Sequence, residues 1–405
     1  MKIAFWLNNK GIKDVDCSNV LKGNPGIGGS EYSALLIAES LRKRGVDTVI
    51  LCTAKGRFPK SLSYHCCFDI TEACRFVRRK KYDFFLLDSR FPTEQLLKAY
   101  PDIKFLAWGN CFIEPWMNEV FPMYPNLLRF VNVGKEQHLL CLDQPIAPKS
   151  TYIYNAVPTD ILLEISPMPF GERKHTVAYI GSLHRAKGFH LLAKAWPDIV
   201  KRVPDAELYV IGSGRLYSRD SKLGKWGIAV KEYEDEFMQY LTDGDKILPS
   251  VHFMGVMGQE KFSLLARTKV GVPNPSGVSE TFGYTAVEMQ FMGCGVTSIS
   301  CPAYLDTVYD KSNLYSSADD LAEYVCRILN SSSIDYDNTM KYFHAFSVDK
   351  VTDEWLCLFN DLLNLNVQLP SDSLDAFTLR IKFLGNTAVG RLKQCIKKII
   401  RFNNG

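Results

Sequence analysis

Short apolar runs alternate with helical patterns along the first 170 residues, and after a polar break the same alternation begins again. Lys2–Leu7, Thr48–Cys52, Asp83–Asp88, Ile103–Ala107 and Arg129–Val133 have the length and apolar content of strands buried on both faces. Between the first two lies the helical pattern Glu31–Arg44. Ser30 is placed as its N-cap, basic residues fill its last turn and Gly45 follows its end. Strands and helices alternating through short links predict a parallel sheet with helices on both faces. Ser166–Lys174 has linker composition. Beyond it come a strand at Thr176–Gly181, a helix at Phe189–Val203, a strand at Glu207–Gly212, and strands at Val270–Pro273 and Val296–Ser300 flanking a helix from Gly283 to Met292. The expectation is an α/β chain of two doubly wound, Rossmann-like domains, residues 1–170 and 171–346, followed by a helix over 347–365 and a tail over 366–405. Ligands of such sheets bind at the carboxyl ends of the strands, so the site is expected in a cleft where the two domains face each other.

A chain of 405 residues is long enough for two separate cores. Its twelve cysteines are irregularly spaced with no CxxC pair, which fits a reduced, cytoplasmic interior better than a disulfide framework or a zinc site. No apolar run reaches the ~20 residues that span a bilayer. The apolar start, Lys2–Leu7, is too short for a signal peptide and reads as a first buried strand. The net charge of +4 is unevenly placed: residues 376–405 hold seven basic residues and no acidic one, so the rest of the chain is slightly acidic.

The most informative stretch runs from Pro273 to Ser300. Glu280 lies in a polar loop after a strand, Gly283 opens a helical pattern, and Glu288 sits two turns into that helix. A glycine at a helix start lets a ligand approach the backbone, and the free N–H groups there favour phosphate. A carboxylate can accept from two adjacent ribose hydroxyls. Taken alone, two glutamates are more often a first-turn acid and a solvated helix residue.

The surrounding residues change that balance. Pro275-Ser276, Glu280, Phe282-Gly283 and Glu288 resemble the Glu-x7-Glu signature of glycosyltransferase family 4, a group of retaining enzymes with the two-domain GT-B fold. Gly28-Gly29 before the first helix, Asn155-Ala156-Val157, the loop Gly181–Gly188, Pro204–Gly214 and Val251–Gly255 are similar to further family segments in the same order. The resemblance implies a donor site in which Lys187 stabilises the leaving diphosphate. Arg185 is a second candidate cation, since Ser182 stands where relatives carry Arg. The backbones of Gly28 and Gly29 would face the diphosphate. Glu280 would meet the transferred sugar, with Phe282, Gly283 and the adjoining Thr281 and Tyr284 beside it. Gly255 would lie near the base and Glu288 at the ribose. Relatives place a His after the fourth strand; here the segment ends in Asn110, which could hydrogen-bond a sugar hydroxyl. The resemblance further implies that residues 1–170 are the acceptor-side domain and 171–346 the nucleotide-sugar donor-binding domain, that the helix over 347–365 crosses back to the first domain, and that 366–405 form a basic amphipathic tail.

No resident cofactor is expected, the UDP- or GDP-sugar being a co-substrate. Asp14-Val15-Asp16 resembles a DxD metal motif only superficially, and no metal site is expected there. The implied function is metal-independent, retaining transfer of a sugar, hexosyl or related, to a glycan or lipid-linked glycan in cell-surface polysaccharide assembly. Two basic, partly apolar segments, Arg75–Lys81 and Arg391–Arg401, have the pattern of surfaces that lie on anionic lipid, so a cytoplasmic protein peripheral to the membrane is expected. Nucleic acid is not expected as a partner, because no basic–aromatic platform is present. The rival readings are a nucleotide-sugar epimerase of the same fold and a non-catalytic sugar-nucleotide-binding subunit.

Overall fold

The computed structural model describes residues 1–159, 164–215 and 221–364. Two parallel sheets organise them. The first has seven strands: β1 (Lys2–Leu7), β2 (Asp47–Cys52), β3 (Ser63–Cys66), β4 (Phe84–Asp88), β5 (Phe105–Gly109), β6 (Leu127–Asn132) and β7 (Ser150–Tyr152), in the order β3-β2-β1-β4-β5-β6-β7. The second has five: β8 (Thr176–Ile180), β9 (Glu207–Ile211), β10 (Val251–Gly255), β11 (Val270–Val272) and β12 (Gly295–Val296), in the order β10-β9-β8-β11-β12. The central strands are buried almost throughout, as both-face packing requires. The expected α/β class and paired Rossmann-like sheets are therefore present.

Three strands have no counterpart in the periodicity, one of them β10, in which only Val251 is buried. β3 is an edge strand with all four residues exposed, and β7 has three residues, none of them buried. Neither carries the apolar run that marks a buried strand.

The apolar core does not divide cleanly between the sheets. One cluster lies on the far face of the first sheet and another within the second domain, but the largest runs across the boundary. It joins Leu35 and Leu36 of the first helix, α1 (Gly29–Lys43), to Phe262, Phe282, Ala286 and Val287 of the second domain.

The chain crosses between domains twice, and the crossings touch: Val157 N donates to Phe346 O at 2.7 Å. The second crossing leads into the helix Val348–Asn364, which packs against α1 and the first sheet. Trp355 meets Trp108 edge-on at 5.0 Å between ring centroids, and Phe359 stacks on Phe84 at 5.4 Å. Ser40 and Thr352 hydroxyls are 2.7 Å apart in the buried interface. Each such buried aromatic contributes roughly 1.5–3 kcal/mol.

Two local readings are corrected. Ser30 is not the N-cap of α1. Gly28 holds that position in extended conformation with no side-chain cap, so the first turn of N–H groups is left to face the cleft. The segment 166–174 is not a loose linker throughout. Arg173 is buried, and its guanidinium donates to Met168 O, Thr268 O and Met292 O at 2.9, 2.6 and 2.8 Å. The last of these ties it to the carboxyl end of a helix, where a cation is favoured.

Candidate active site

The second sheet changes direction at β8. The chain leaves it for β9 and β10 on one side and returns to β11 and β12 on the other. The crevice of an open α/β sheet lies at such a switch point. Here it opens between Ile180-Gly181-Ser182, at the end of β8, and Asn274, just past β11. The cavity has a volume of about 420 Å³, and its opposite wall comes from the first domain through Gly26, Ile27, Gly29, Ser30, Asn110 and Asn155.

Two loops of the second domain set the chemistry, and they lock to each other. Gly188 adopts a left-handed backbone at φ +69°, and a Cβ there would lie 2.6 Å from Ser276 N, so only glycine permits the approach. Ser276 Oγ reaches Ala186 O at 2.8 Å across the same contact. This brings Lys187 to the glutamate loop: its Nζ lies 2.9 Å from Glu280 Oε2, which also accepts from Asn274 Nδ2 at 3.0 Å. Ser279, immediately before Glu280, is held at φ +52°, an uncommon conformation for a residue with a side chain. The tight turn it completes aims Glu280 into the cavity.

The helix Tyr284–Phe291 begins at Gly283, whose left-handed φ of +81° makes the abrupt turn into it. It has no side-chain cap, and Gly283, Tyr284 and Thr285 line the cavity, so its unpaired N–H groups form a surface suited to an anion. Tyr284 reaches the first domain, its hydroxyl 2.7 Å from Ser33 Oγ. Burial pushes its phenol well above the usual range. Thr281 Oγ1 donates to Asn110 O at 3.0 Å, a second tie between the domains at the cavity edge.

Glu288 is buried, and it is not alone. Lys261 Nζ lies 2.8 and 3.0 Å from its two carboxylate oxygens, with both side chains only 6% exposed. A buried carboxylate needs such a partner. Lys261 also lines the cavity, so the pair presents a cation and an acceptor to whatever occupies it.

Lys187, Glu280, Thr281, Phe282, Gly283, Tyr284, Glu288, Gly29 and Asn110 are thus brought to one cavity. Three expected residues are placed differently. Arg185 points outward into an ion pair with Glu236, its side chain 66% exposed, and does not line the cavity. Its neighbours in the loop, His184 and Lys187, do. Gly28 and Gly255 lie behind the lining. Gly255 accepts from Gly212 N at 2.8 Å, while Val256 and Met257 form the wall itself. Asp16 accepts from Ser18 N and faces Arg57, and among the described residues no group of three or more metal-ligating side chains is present.

Lys261, Asn274 and His184 were not singled out in the sequence. Only the demand that a glutamate among Ala286, Val287, Met289 and Phe291 find a cation hinted at the first. Nothing in the spacing indicated which lysine would serve.

Because the Arg185 pair is exposed, we expect Arg185→Ala to change stability by less than about 1 kcal/mol. Nucleotide affinity should stay within about twofold of the parent, the difference of a group with no contact. Titration calorimetry with UDP or GDP checks this, and a tenfold loss would show that the side chain swings into the cavity.

Residues 174–331 match the family model described as glycosyl transferases group 1. No curated protein matches the chain. Among solved structures, Anabaena Alr3699/HepE, in complex with UDP and glucose, superposes with a TM-score of 0.64 at 15% identity, over 89% of this chain and 100% of that one. A glycosyltransferase from Rickettsia africae gives 0.66 at 13%, over 89% and 98%. AviGT4, a glycosyltransferase involved in avilamycin A biosynthesis, gives 0.60 at 12%, over 90% and 98%. At these identities the similarity establishes the architecture. Residues 174–331 are thus similar to the glycosyl transferases group 1 family, and the chain as a whole has the GT-B fold, built from its two Rossmann-like sheets.

Proposed function

We propose that this protein transfers a sugar from a nucleotide-sugar donor to a glycan or lipid-linked glycan acceptor, with retention of configuration and without a metal ion. The observation that carries the reading is the convergence of Lys187, Lys261, Glu280 and Glu288 on one cavity between the two domains. Loss of a nucleoside diphosphate leaves charge on the phosphates. Two lysines and the uncapped start of the helix Tyr284–Phe291 stand ready to take it up. Glu288 has acceptor capacity for ribose hydroxyls beyond its bond to Lys261, and Glu280 is aimed at the sugar. The UDP bound in the HepE structure favours the UDP-sugar of the two expected donors.

Thermal-shift measurement with UDP-, GDP-, ADP- and dTDP-sugars tests the donor. A bound nucleotide at 100 times its Kd stabilises the fold by about 2.7 kcal/mol. We expect UDP- or GDP-sugars to raise Tm and slow donor hydrolysis to be detectable without acceptor. No shift with any of the four overturns the reading.

The acceptor's setting is proposed to be the cytoplasmic face of a membrane, in cell-surface polysaccharide assembly. Among the described residues no helix is long and apolar enough to cross a bilayer. The helix Ile70–Lys80 is strongly amphipathic in its sequence, and Arg75 and Arg79 border a surface hollow with Phe68, which is 89% exposed. Asp69 and Glu72 line the same hollow, so the reading rests on the exposed ring together with the two arginines, each cation contributing about 1 kcal/mol near anionic lipid. Arg78 is used internally, bonded to Asp102. The second basic segment, Arg391–Arg401, lies outside the described residues. In liposome flotation with phosphatidylglycerol vesicles, we expect the full chain to float and the chain lacking 376–405, or carrying Phe68→Ser with Arg75→Glu, to float less. Equal flotation of all forms would remove the membrane from the proposal.

A further inference from the structure

Asp306 is a buried carboxylate that does not line the cavity. It belongs to the second domain, on the short helix Pro302–Thr307. Both hydrogen bonds that its carboxylate accepts come from the first domain. Glu136 N donates to Oδ2 at 2.9 Å, and the Tyr154 hydroxyl donates to Oδ1 at 3.2 Å. Glu136 lies in the first turn of the helix Lys135–Leu139, whose N-cap position is held by Gly134 with no side chain to cap it. Asp306 supplies the cap from the opposite domain, an anionic acceptor at an N–H that the helix itself leaves unpaired. Gly134 admits it: a Cβ there would lie 2.7 Å from Asp306 Oδ2 and 3.3 Å from Thr281 O.

Each segment that Asp306 grips leads directly to the cavity wall. Next to Glu136, Gln137 is buried and wholly engaged with backbone. Its Oε1 accepts from Val133 N at 2.9 Å, and its Nε2 donates to Gly109 O and Cys111 O, each at 2.9 Å. It thus clasps the chain on both sides of Asn110. Next to Tyr154 comes Asn155, only 3% exposed. Asn110 and Asn155 both line the cavity, and Asn155 Nδ2 donates to Asn110 Oδ1 at 3.5 Å. The bond from Thr281 to Asn110 O sets this pair of amides beside Glu280.

Asn155 Oδ1 is buried with no hydrogen-bond partner among the described residues. A buried acceptor in a cavity wall calls for a donor on the occupant, and a sugar hydroxyl is such a donor. The groups assigned to the nucleotide, Lys261 and Glu288, sit on second-domain helices and share no hydrogen bond with this network.

We infer that Asp306 is a positioning residue, which from the second domain sets the amides of Asn110 and Asn155 so that Asn155 Oδ1 meets a hydroxyl of the bound sugar. The inference rests on the reading of the cavity as the donor site and adds what holds its sugar end from behind.

Titration calorimetry on the full chain tests it, comparing UDP with UDP-glucose and UDP-N-acetylglucosamine, and GDP with GDP-mannose. Asp306→Ala removes the acceptor. Gly134→Ala pushes the carboxylate away from the other side and keeps an ordinary backbone. Both should weaken the nucleotide-sugar about fivefold, the worth of one hydrogen bond, while the free nucleotide stays within about twofold of the parent. In a background lacking both amides, Asn110→Ala with Asn155→Ala, adding Asp306→Ala should change nucleotide-sugar affinity by less than about twofold, because a residue acting through the pair has nothing left to position. A purely structural role would weaken nucleotide and nucleotide-sugar alike, and that result overturns the inference. It is equally overturned if both single variants bind every nucleotide-sugar as the parent does, or if the loss persists in the background without the amides. Should Asp306→Ala fail to fold, Gly134→Ala decides through the same comparisons. Failure of the parent to bind any nucleotide would instead strike the donor reading, and this inference with it.

Discussion

Replacing Glu280 by Gln is expected to lower sugar transfer, measured as kcat/KM for the donor, by about 10²–10³-fold while the affinity for free UDP or GDP changes little. The carboxylate sits 2.9 Å from Lys187 Nζ and 3.0 Å from Asn274 Nδ2, on a loop whose course is fixed by the left-handed Ser279 and by the contact between Gly188 and Ser276. Glutamine keeps the volume and one acceptor, so the loop should hold its shape. What disappears is the negative charge that lines the cavity and restrains Lys187, on the proposed reading the charge that meets the sugar. A free nucleoside diphosphate has no sugar to sense that loss, so its binding separates the two roles. Near-normal transfer by Glu280→Gln would assign the residue to holding the loop, and a parallel collapse of nucleotide binding would assign it to orienting Lys187.

The second large effect is expected at Lys261. It is paired at 2.8 Å with Glu288, both side chains being 6% exposed. Removing one member of a buried pair leaves an uncompensated charge, so Lys261→Met should cost about 3–5 kcal/mol of stability. Replacing both members by apolar residues of similar volume, Lys261→Met with Glu288→Leu, should recover most of that loss. The recovered double variant should nonetheless show no nucleotide-dependent rise in Tm, because on the proposed reading Glu288 is the ribose acceptor. Urea unfolding and thermal shift on the four proteins of this cycle give both answers. Full stability in Lys261→Met would mean the carboxylate finds another partner, and a normal nucleotide shift in the double variant would remove Glu288 from the donor site.

Both predictions concern the segment that the sequence made most legible, yet they differ in how much of each could be read there. Glu280, Phe282-Gly283 and Glu288 announce themselves by order and spacing, because a loop, a left-handed glycine and a helix turn are local objects with local signatures. Lys261 belongs to a separate short helix, and its encounter with Glu288 is a product of packing. Arg185 shows the converse. Sequence placed it beside the phosphates on the strength of its neighbours, but Glu236 on another helix supplied a nearer partner. Gly28 was read as a donor toward the diphosphate. In the structure it lies behind the cavity lining, with its Cα beside the Glu31 carboxylate three residues on, a placement that no composition or motif encodes.

The strand–helix alternation, repeated after residue 170, was sufficient to determine two doubly wound sheets, since buried parallel strands need continuous apolar runs and each crossover needs a helix. The same sequence determined the glutamate loop and the glycine turns around it. Only the tertiary structure decided which surfaces share a cavity: that Ser30 and Asn110 of the first domain line it together with Glu280, that Lys261 rather than Arg185 reaches it, and that the final helix, Val348–Asn364, docks on α1. The reason is one of range. Hydrogen-bonded turns and periodic faces are set within a few residues, whereas the partner of a buried charge or the neighbour of a cavity wall is set by how whole elements pack to exclude water.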